Sequence, residues 1–368
     1  MRTELKKSKR IVVKVGSSIV NSIEKDYIST ICNDISEFIQ EEKEIVLVTS
    51  GAISQGMKIL NIKEKPKDIK KLQALAAVGQ QKLMLIYEQN FSKNNKHAAQ
   101  VLITHSDIND RVRYLNIKGT IEELFTNKII PIINENDVVS TEEIKLGDND
   151  NLASMISNLI NADLMIILTD QKGMYDKNPD NYDDAKLINT INIDEIKTYD
   201  TDFSTQSITG TGGFVTKIQA VKRAALSNTY TLIASGYEEN VLRKVFEDNK
   251  MGTLFVPSEK KISAKKQWLD TTDNHGAIII DNGACKALQQ NKSLLFVGVT
   301  DVKNSFQKGD VVRCVNLNNI CIAKGITNYD SDDVILMKGK STEDIKNLHG
   351  DEFTRELIHT DSLIVIEI

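Results

Sequence analysis

Two lysines that lie close to glycines are the residues of this sequence best suited to handle a phosphoryl group. Lys14 opens the segment Lys-Val-Gly-Ser-Ser at residues 14–18, and Lys217 closes the glycine-rich segment at residues 210–217. Glycine lets a backbone come close to a phosphate, successive N–H groups can hold its oxygens, and lysine adds a positive charge. The sequence has no GxxxxGK[ST] pattern, so neither segment is a P-loop. Each segment alone is also compatible with an ordinary turn before a helix.

Three further segments carry small polar, amide or carboxylate side chains. Ser50 follows an apolar run and precedes a predicted helix, whose first N–H groups would bind a carboxylate or a phosphate, although a simple Ser N-cap gives the same pattern. Residues 134–137 (Asn-Glu-Asn-Asp) and 147–151 (Gly-Asp-Asn-Asp-Asn) offer acceptors for an ammonium group or for lysines, as a polar loop also would. Lysines, glycine-containing turns and carboxylates at one site would favour phosphoryl transfer, which depends on positioning and charge stabilisation.

Short apolar runs that we predict to be β-strands come directly before most of these segments. Stretches with helical spacing lie between the runs, at residues 27–41, 69–91, 115–127, 151–160 and 214–227. This alternation predicts an α/β fold with a mostly parallel sheet between layers of helices, in which ligands collect beyond the carboxyl ends of the strands. The predicted strands are residues 11–15, 45–48, 98–103, 129–133, 164–168 and 230–234.

The pattern changes near residues 258–275, where a charged stretch leads into a turn-rich one. Closely spaced short strands separated by turn signals come next, which is typical of a small β-rich domain. We therefore predict a catalytic domain at residues 1–257, a linker at 258–274 and a second domain at 275–368. The predicted strands of the second domain are residues 276–280, 294–299, 311–315, 321–325, 334–337 and 363–366.

Composition excludes several classes of protein. The 368 residues carry 46 Lys and Arg against 51 Asp and Glu, a net charge of −5, which argues against broad binding to nucleic acid phosphates. No apolar run reaches the roughly 18 residues that a membrane span needs, and no signal peptide precedes the first strand, so we expect a cytoplasmic protein. The 4 cysteines form no CxxC pair, and we expect reduced thiols.

Taken together, six segments resemble the amino acid kinase family, over roughly residues 10–255. The combination of INEND, GDNDNLAS, TDQKG and GTGG..TK resembles the branch that phosphorylates the side-chain carboxylate of free glutamate with ATP, the first step of proline biosynthesis. Residues from about 275 onward resemble a PUA domain, an appendage that is usual in bacterial members of that branch. The segments that carry the family resemblance are residues 14–18, 48–53, 133–137, 147–152, 168–173 and 210–217.

The resemblance also implies a role for individual residues. Lys14 and Lys217 would stabilise the transferring phosphoryl group, and Asp150 would hold both lysines. Ser50, Asp137 and Asn149 would bind glutamate, whose γ-carboxylate is already ionised at pH 7 and needs no general base. No metal ligand is predicted, and Mg²⁺ would be carried mainly by the phosphates of ATP and by water. The implied ATP-binding residues are Lys14, Thr169, Asp170, Thr211, Gly212, Gly213, Phe214, Val215, Thr216 and Lys217.

Regulation, assembly and alternative functions complete the predictions. The resemblance implies that proline competes with glutamate as a feedback inhibitor and that the protein is a homo-oligomer, a dimer or a tetramer. Another amino acid kinase, acting on acetylglutamate or aspartate, is one alternative, although it would be expected to lack the second domain. An RNA-binding protein that uses the PUA domain is another, but residues 275–368 carry more acidic than basic side chains, so RNA binding is not expected. A regulatory homologue without activity would not need Lys14, Asp150 and Lys217.

Overall fold

The computed structural model describes residues 5–22, 26–140, 149–177, 179, 181–199, 214–247, 250–258, 269, 276–349 and 355–366, without the side chains of residues 197–199, 214 and 347–349. Residue contacts divide the chain into two compact units, residues 1–262 and 263–368, and each unit is considered by itself. None of the helices in the described residues is both long enough and apolar enough to cross a membrane.

One sheet organises the first unit. In the described residues its strands are β1 (Arg10–Val15), β2 (Glu44–Thr49), β3 (Ala98–Ile103), β4 (Ile130–Glu135), β5 (Leu164–Thr169), β6 (Thr190–Asn192), β7 (Tyr230–Ser235) and β8 (Thr253–Val256). Their order across the sheet is β3–β4–β2–β1–β5–β7–β8–β6. Every pair from β3 to β7 is parallel, whereas β8 runs antiparallel to β7 and pairs in parallel with β6. The predicted α/β fold with a mostly parallel sheet is confirmed.

The central strands are apolar on both faces because both faces are covered. Residues 11–13 and 15 of β1 are almost completely buried, and β5 is buried along its whole length. A parallel sheet covered on both sides requires such continuous hydrophobic runs, which is why these strands could be recognised in the sequence. The described helices of this unit are α1 (Ser17–Val20), α2 (Tyr27–Gln40), α3 (Ala52–Ile59), α4 (Ile69–Ser92), α5 (His105–Asn109), α6 (Arg111–Thr126), α7 (Asp150–Ile160), α8 (Phe214–Ala225) and α9 (Val241–Glu247).

Aspartates begin several of these helices. The carboxylate of Asp68 accepts a hydrogen bond from the N–H group of Lys71 at the start of α4. Asp110 does the same for Arg113 at the start of α6, which explains why α6 begins four residues before the predicted position. Such caps satisfy N–H groups that have no partner inside the helix.

Helices α3 and α4 touch through their backbones. A Cβ atom added to Gly79 of α4 would lie 1.8 Å from the carbonyl oxygen of Ala52, and one added to Gly56 of α3 would lie 2.0 Å from that of Leu75. Neither position has room for a side chain, so both helices approach each other where they carry glycine. This contact fixes the start of α3 relative to the middle of α4.

The second unit contains a smaller sheet. Its described strands are β9 (Gly276–Ile280), β10 (Val299–Lys303), β11 (Val311–Val315), β12 (Cys321–Ile326) and β13 (Leu363–Val365), and its described helices are α10 (Asn282–Gln289), α11 (Ser331–Met337) and α12 (Thr342–His349). The strand order is β10–β9–β11–β12–β13, and only the β9–β11 pair is parallel among these described strands. The predicted β-rich second domain is confirmed.

Two of the strands predicted for this unit are wrong. Residues 334–337 belong to the helix α11. Asp332 and Asp333 lie in the first turn of this helix, where the helix dipole stabilises negative charge. The run at 294–299 forms a 3₁₀ turn at Phe296–Gly298 rather than a strand, and β10 begins only where that run ends. Both runs are apolar, but only part of each faces the core of the unit: Phe296 and Val334 are buried, whereas Val297, Ile335 and Leu336 are exposed. A short apolar run alone does not distinguish a strand from a helix.

Candidate active site

Four parallel strands bring their carboxyl ends to one edge of the first sheet. On β1, Lys14 pairs with Val48 of β2 on one side and with Ile167 of β5 on the other. Val48 pairs in turn with Ile133 of β4. Lys14 and the polar residues that follow each of these strands therefore lie at the same edge, as ligand-binding residues do in sheets of this kind.

A buried carboxylate joins the two lysines. The Nζ atom of Lys14 lies 2.7 Å from Oδ1 of Asp150, and Nζ of Lys217 lies 3.0 Å from Oδ2 of the same residue. Asp150 is fully buried and the lysine side chains are at most 9% exposed. Two lysines that share one carboxylate bring two positive charges together in a site with little water, where charge interactions are strong. The site can therefore stabilise an anion such as a phosphoryl group.

Asn149 is held by a chain of hydrogen-bonded amides. Its Nδ2 atom donates to the carbonyl oxygen of Thr49 and to Oδ1 of Asn134, both at 2.7 Å. The Nδ2 atom of Asn134 donates in turn to Oε1 of Gln80 at 2.9 Å. Asn149 and Asn134 are completely buried. Asn134 belongs to a segment that the sequence singled out, but no sequence signal identified Gln80, which lies in the middle of α4.

Ser50 lies at a sharp turn between β2 and α3. Gly51, directly after it, has a φ of 110°, a left-handed conformation that glycine adopts without a steric penalty. The Oγ atom of Ser50 is buried and has no hydrogen-bond partner among the described residues. A buried hydroxyl without a partner is unfavourable, so this turn is suited to receive a polar ligand.

Asp137 is a second buried group in need of a partner. Asp137 is only 4% exposed, and its Oδ1 atom has no hydrogen-bond partner among the described residues. Burial raises the pKa of Asp137 from its ordinary value of 3.8 to about 7; repulsion from Glu135 adds to the rise, and Lys65 opposes it. A cationic ligand group would compensate the buried negative charge.

The turn that carries Asp137 is tied down on both sides. Glu135, which is buried, accepts a 2.5 Å hydrogen bond from Oγ of Ser140 and lies 3.4 Å from Nδ1 of His105. Gln73 of α4 donates from Nε2 to the carbonyl oxygens of Asp137 and Val138, both at 3.1 Å. Glu135 belongs to a segment that the sequence singled out without a role for it, whereas Gln73 and His105 had no recognisable signal.

The residues expected to bind ATP are described only in part. Thr169 ends β5, its Oγ1 donates to Oδ1 of Asp170 at 2.9 Å, and its carbonyl oxygen accepts from Gly236 at 2.8 Å. Val215 on α8 is 52% exposed, and Thr216 is half-buried beside Lys217. Thr211, Gly212, Gly213 and the side chain of Phe214 lie outside the described residues, as do Gly147 and Asp148. The described residues contain no cluster of three His, Cys, Asp or Glu that could hold a metal ion.

Comparison with protein families identifies the first unit. The model of the amino acid kinase family matches residues 9–235, more than half of the chain. The chain belongs to the amino acid kinase family. The model of the PUA domain matches residues 276–349, in the second unit. The family match thus covers β1 with Lys14 and α7 with Asp150, and the PUA match covers most of the second unit.

Relatives within the amino acid kinase family match the chain over its whole length. A glutamate 5-kinase of Marinomonas sp. (strain MWYL1) is 41% identical over 372 residues and covers 100% of both chains. A glutamate 5-kinase of Thermoanaerobacter sp. (strain X514) is 42% identical over 364 residues, covering 97% of this chain and 98% of its own. A UMP kinase structure from Bacillus anthracis covers 68% of this chain and 97% of its own at 15% identity and a TM-score of 0.45, too distant to bear on the reaction.

Proposed function

We propose that this chain is a kinase that transfers the γ-phosphoryl group of ATP to the side-chain carboxylate of glutamate, giving glutamyl 5-phosphate in the first step of proline biosynthesis. Full-length relatives with the name glutamate 5-kinase support this proposal. The observation that carries it is the buried Asp150 held between Lys14 and Lys217, at the same sheet edge as the polar groups of Ser50 and Asp137.

The lysines would act on the phosphoryl group in transfer. A γ-carboxylate oxygen of glutamate forms a bond to the γ-phosphorus of ATP while the bond from that phosphorus to the bridging β,γ-oxygen breaks, and ADP leaves with the electron pair. The nucleophile is already ionised at pH 7, so no residue has to remove a proton from it. Catalysis then depends on positioning and on charge stabilisation, which Lys14 and Lys217 supply and Asp150 orients.

Glutamate would be recognised through its α-amino and α-carboxylate groups. The ammonium group would pair with the carboxylate of Asp137 and with the amide oxygen of Asn149. The α-carboxylate would accept hydrogen bonds at the turn of Ser50 and the start of α3, where N–H groups of a helix terminus favour an anion. Both Ser50 and Asp137 have a buried polar atom without a partner among the described residues, which is what a site for a zwitterionic ligand requires.

ATP would lie on the β5 side of the lysines. Thr169, Asp170 and residues 211–217 would bind it, with Lys14 and Lys217 at its phosphates. Mg²⁺, which kinases use to neutralise phosphate charge, would be carried mainly by phosphate oxygens and water.

Regulation, assembly and domain independence belong to the same proposal. Proline has an α-carboxylate and a charged amine like glutamate, so we expect it to compete at the Ser50 and Asp137 groups. We expect a cytoplasmic homo-oligomer, and the exposed apolar residues Val78 and Leu85 on α4 support an interface there. RNA binding is not expected. We also propose that residues 1–257 and 275–368 fold as separate domains joined by a linker.

A panel of acceptors tests the proposed reaction. ADP release by the purified protein is measured with ATP and glutamate, aspartate, N-acetylglutamate or UMP. Glutamate should drive turnover far better than N-acetylglutamate, because acetylation removes the charged amine that Asp137 would bind. Turnover of N-acetylglutamate at a rate equal to or higher than that of glutamate would contradict the proposal. ADP release with UMP and with none of the other acceptors would contradict it as well.

A further inference from the structure

We infer that Gln80 is a positioning residue for glutamate recognition, acting through Asn134 to set the direction in which Asn149 presents its amide. This inference rests on the proposed function, because it requires Asn149 to bind the ammonium group of glutamate. Gln80 itself lies on α4, separated from Asn149 by the side chain of Asn134.

The direction of the amide chain is set at its inner end. The carbonyl oxygen of Thr49 can only accept a hydrogen bond, so Asn149 must turn its NH₂ group toward it. The second proton of that NH₂ group goes to Oδ1 of Asn134. These two hydrogen bonds turn the NH₂ group of Asn149 toward Thr49 and Asn134 and its amide oxygen away from them, and an oxygen is what an ammonium ligand needs.

The outer end of the chain depends on Gln80. Because Asn134 accepts from Asn149 through Oδ1, its Nδ2 must find an acceptor on the other side, and Oε1 of Gln80 provides it at 2.9 Å. Asn134 is completely buried, so losing that acceptor would leave a donor without a partner in the interior. Rotation of the Asn134 amide would relieve this cost, but it would turn NH₂ against the NH₂ of Asn149 and remove one of its two anchors.

The Nε2 atom of Gln80 shows which part of the side chain matters. It is buried and has no hydrogen-bond partner among the described residues, whereas Oε1 is engaged. The side chain is therefore held for its acceptor. Its backbone is fixed as well, since the preceding residue, Gly79, packs directly on the backbone of α3.

Two substitutions separate the acceptor from the shape of the side chain. Gln80→Met keeps a side chain of similar length and high helix propensity but removes the acceptor oxygen. Gln80→Glu keeps an acceptor oxygen for Asn134. Gln81→Met is the matched control, because Gln81 is the exposed neighbour on the same helix. Steady-state ADP release is measured with glutamate and with glutarate, which lacks the amine, and folding is checked by thermal unfolding.

For Gln80→Met we expect the KM for glutamate to rise roughly ten- to hundredfold, the effect of a buried amide left without its acceptor, while kcat and the KM for ATP change by less than about threefold. The preference for glutamate over glutarate should fall by a similar factor, because the amine contact is what is lost. Gln80→Glu should retain most of the preference, and Gln81→Met should behave as the unmodified protein. If Gln80→Met does not fold, Gln80→Glu decides: a preserved preference for glutamate over glutarate supports the inference, and loss of that preference overturns it.

The double variant assigns the effect to Asn149. Combining Gln80→Met with Asn149→Ala should be no worse for glutamate than Asn149→Ala alone, since the first residue acts through the second. The role of Gln80 would be overturned, and the proposed glutamate site left standing, by either of two results. One is that Gln80→Met raises the KM for glutamate and for glutarate equally. The other is that Gln80→Met leaves the KM for glutamate unchanged while Asn149→Ala raises it. An unchanged KM in Asn149→Ala would instead contradict the proposed glutamate site, and the role of Gln80 with it.

Discussion

Replacing Asp137 by asparagine should make the free protein more stable and a worse binder of glutamate. The carboxylate is buried, and its pKa is raised to about 7, first by loss of water and then by the neighbouring Glu135. An acid whose pKa is raised on folding stabilises the folded protein fully when the pH is below the pKa of the unfolded state. This stabilisation is lost as the pH rises through the pKa of the folded state. The loss for Asp137 therefore falls between about pH 4 and pH 7.

The size of the effect can be worked out from that shift. A rise from 3.8 to about 7 corresponds, at about 1.36 kcal/mol per pKa unit, to an upper limit of about 4 kcal/mol against the ionised form. Since water and nearby side chains can relax around the charge, we expect Asp137→Asn to gain about 2 kcal/mol at pH 8, or roughly 5 °C in Tm, and to gain nothing near pH 4. The same variant loses the partner of the ammonium group, and a hydrogen bond between charged groups contributes roughly 1.5–3 kcal/mol, so the KM for glutamate should rise about 10- to 150-fold.

Thermal unfolding between pH 4 and pH 8 without ligands, together with ADP release across the same range, measures both effects. In the unmodified protein the KM for glutamate should rise about tenfold for each pH unit below 7, because protonated Asp137 cannot pair with an ammonium group. In Asp137→Asn that rise should be absent. Asp183→Asn, at an exposed carboxylate, is the control for removing one charge. A variant that is less stable than the unmodified protein at pH 8, or that keeps its KM, would refute the reasoning.

Three further predictions concern the lysines, the helix contact and the second domain. Lys217→Ala should lower kcat about 10²–10³-fold with little change in the KM for glutamate, because the charge acts mainly in transfer; near-normal kcat in the ADP assay would place the catalytic site elsewhere. Gly79→Ala should lower Tm clearly, because the added Cβ would lie 1.8 Å from the Ala52 carbonyl oxygen and force α3 and α4 apart; an unchanged melting curve would contradict the contact. A chain that ends at Pro257 should fold and keep kinase activity, and aggregation or loss of turnover would show that the domains depend on each other.

Burial explains which strands could be predicted. The runs at 11–15 and 164–168 are continuous and apolar because both faces of the sheet are covered, and the structure confirms both as β1 and β5. The strands β6 and β8 had no comparable signal, since they contain three and four residues. Runs that short cannot show a period, and their pairing with each other at the sheet edge depends on contacts from distant parts of the chain.

The smaller sheet shows a different limit. The sequence Asp-Asn-Gly after β9 has the composition of a turn, but Asp281 accepts a hydrogen bond from the N–H group of Ala284 and starts α10. The same residue types open turns and cap helices, because in both cases a side-chain oxygen replaces a missing backbone partner. The residues after the cap decide between a turn and a helix, and a helix as short as α10 gives little periodic pattern.

For the candidate site, the sequence indicated the segments but not how they support one another. Lys14, Asp150 and Lys217 are brought together by the structure, and their catalytic roles stay predictions. Gln73 and Gln80 could not have been found, because a glutamine inside a long helix is usually a solvated residue and nothing local distinguishes these two. Their importance arises only when the fold places α4 beside the ends of β2 and β4.

The order of the sheet determines when during folding the site can exist. β1 has β2 on one side, which is the next strand in sequence, and β5 on the other, which comes only after β2, β3, β4 and the helices between them. Lys14 and Ser50 can therefore approach each other early through local pairing, whereas Asp150 arrives only when the long connection between β1 and β5 has closed, a slow event of high contact order. Substrates that need both groups bind only to chains in which this pairing is complete. Under the proposed function, the binding of glutamate and ATP would add its free energy to the finished sheet and to no partly folded form, so both substrates would stabilise only fully assembled molecules.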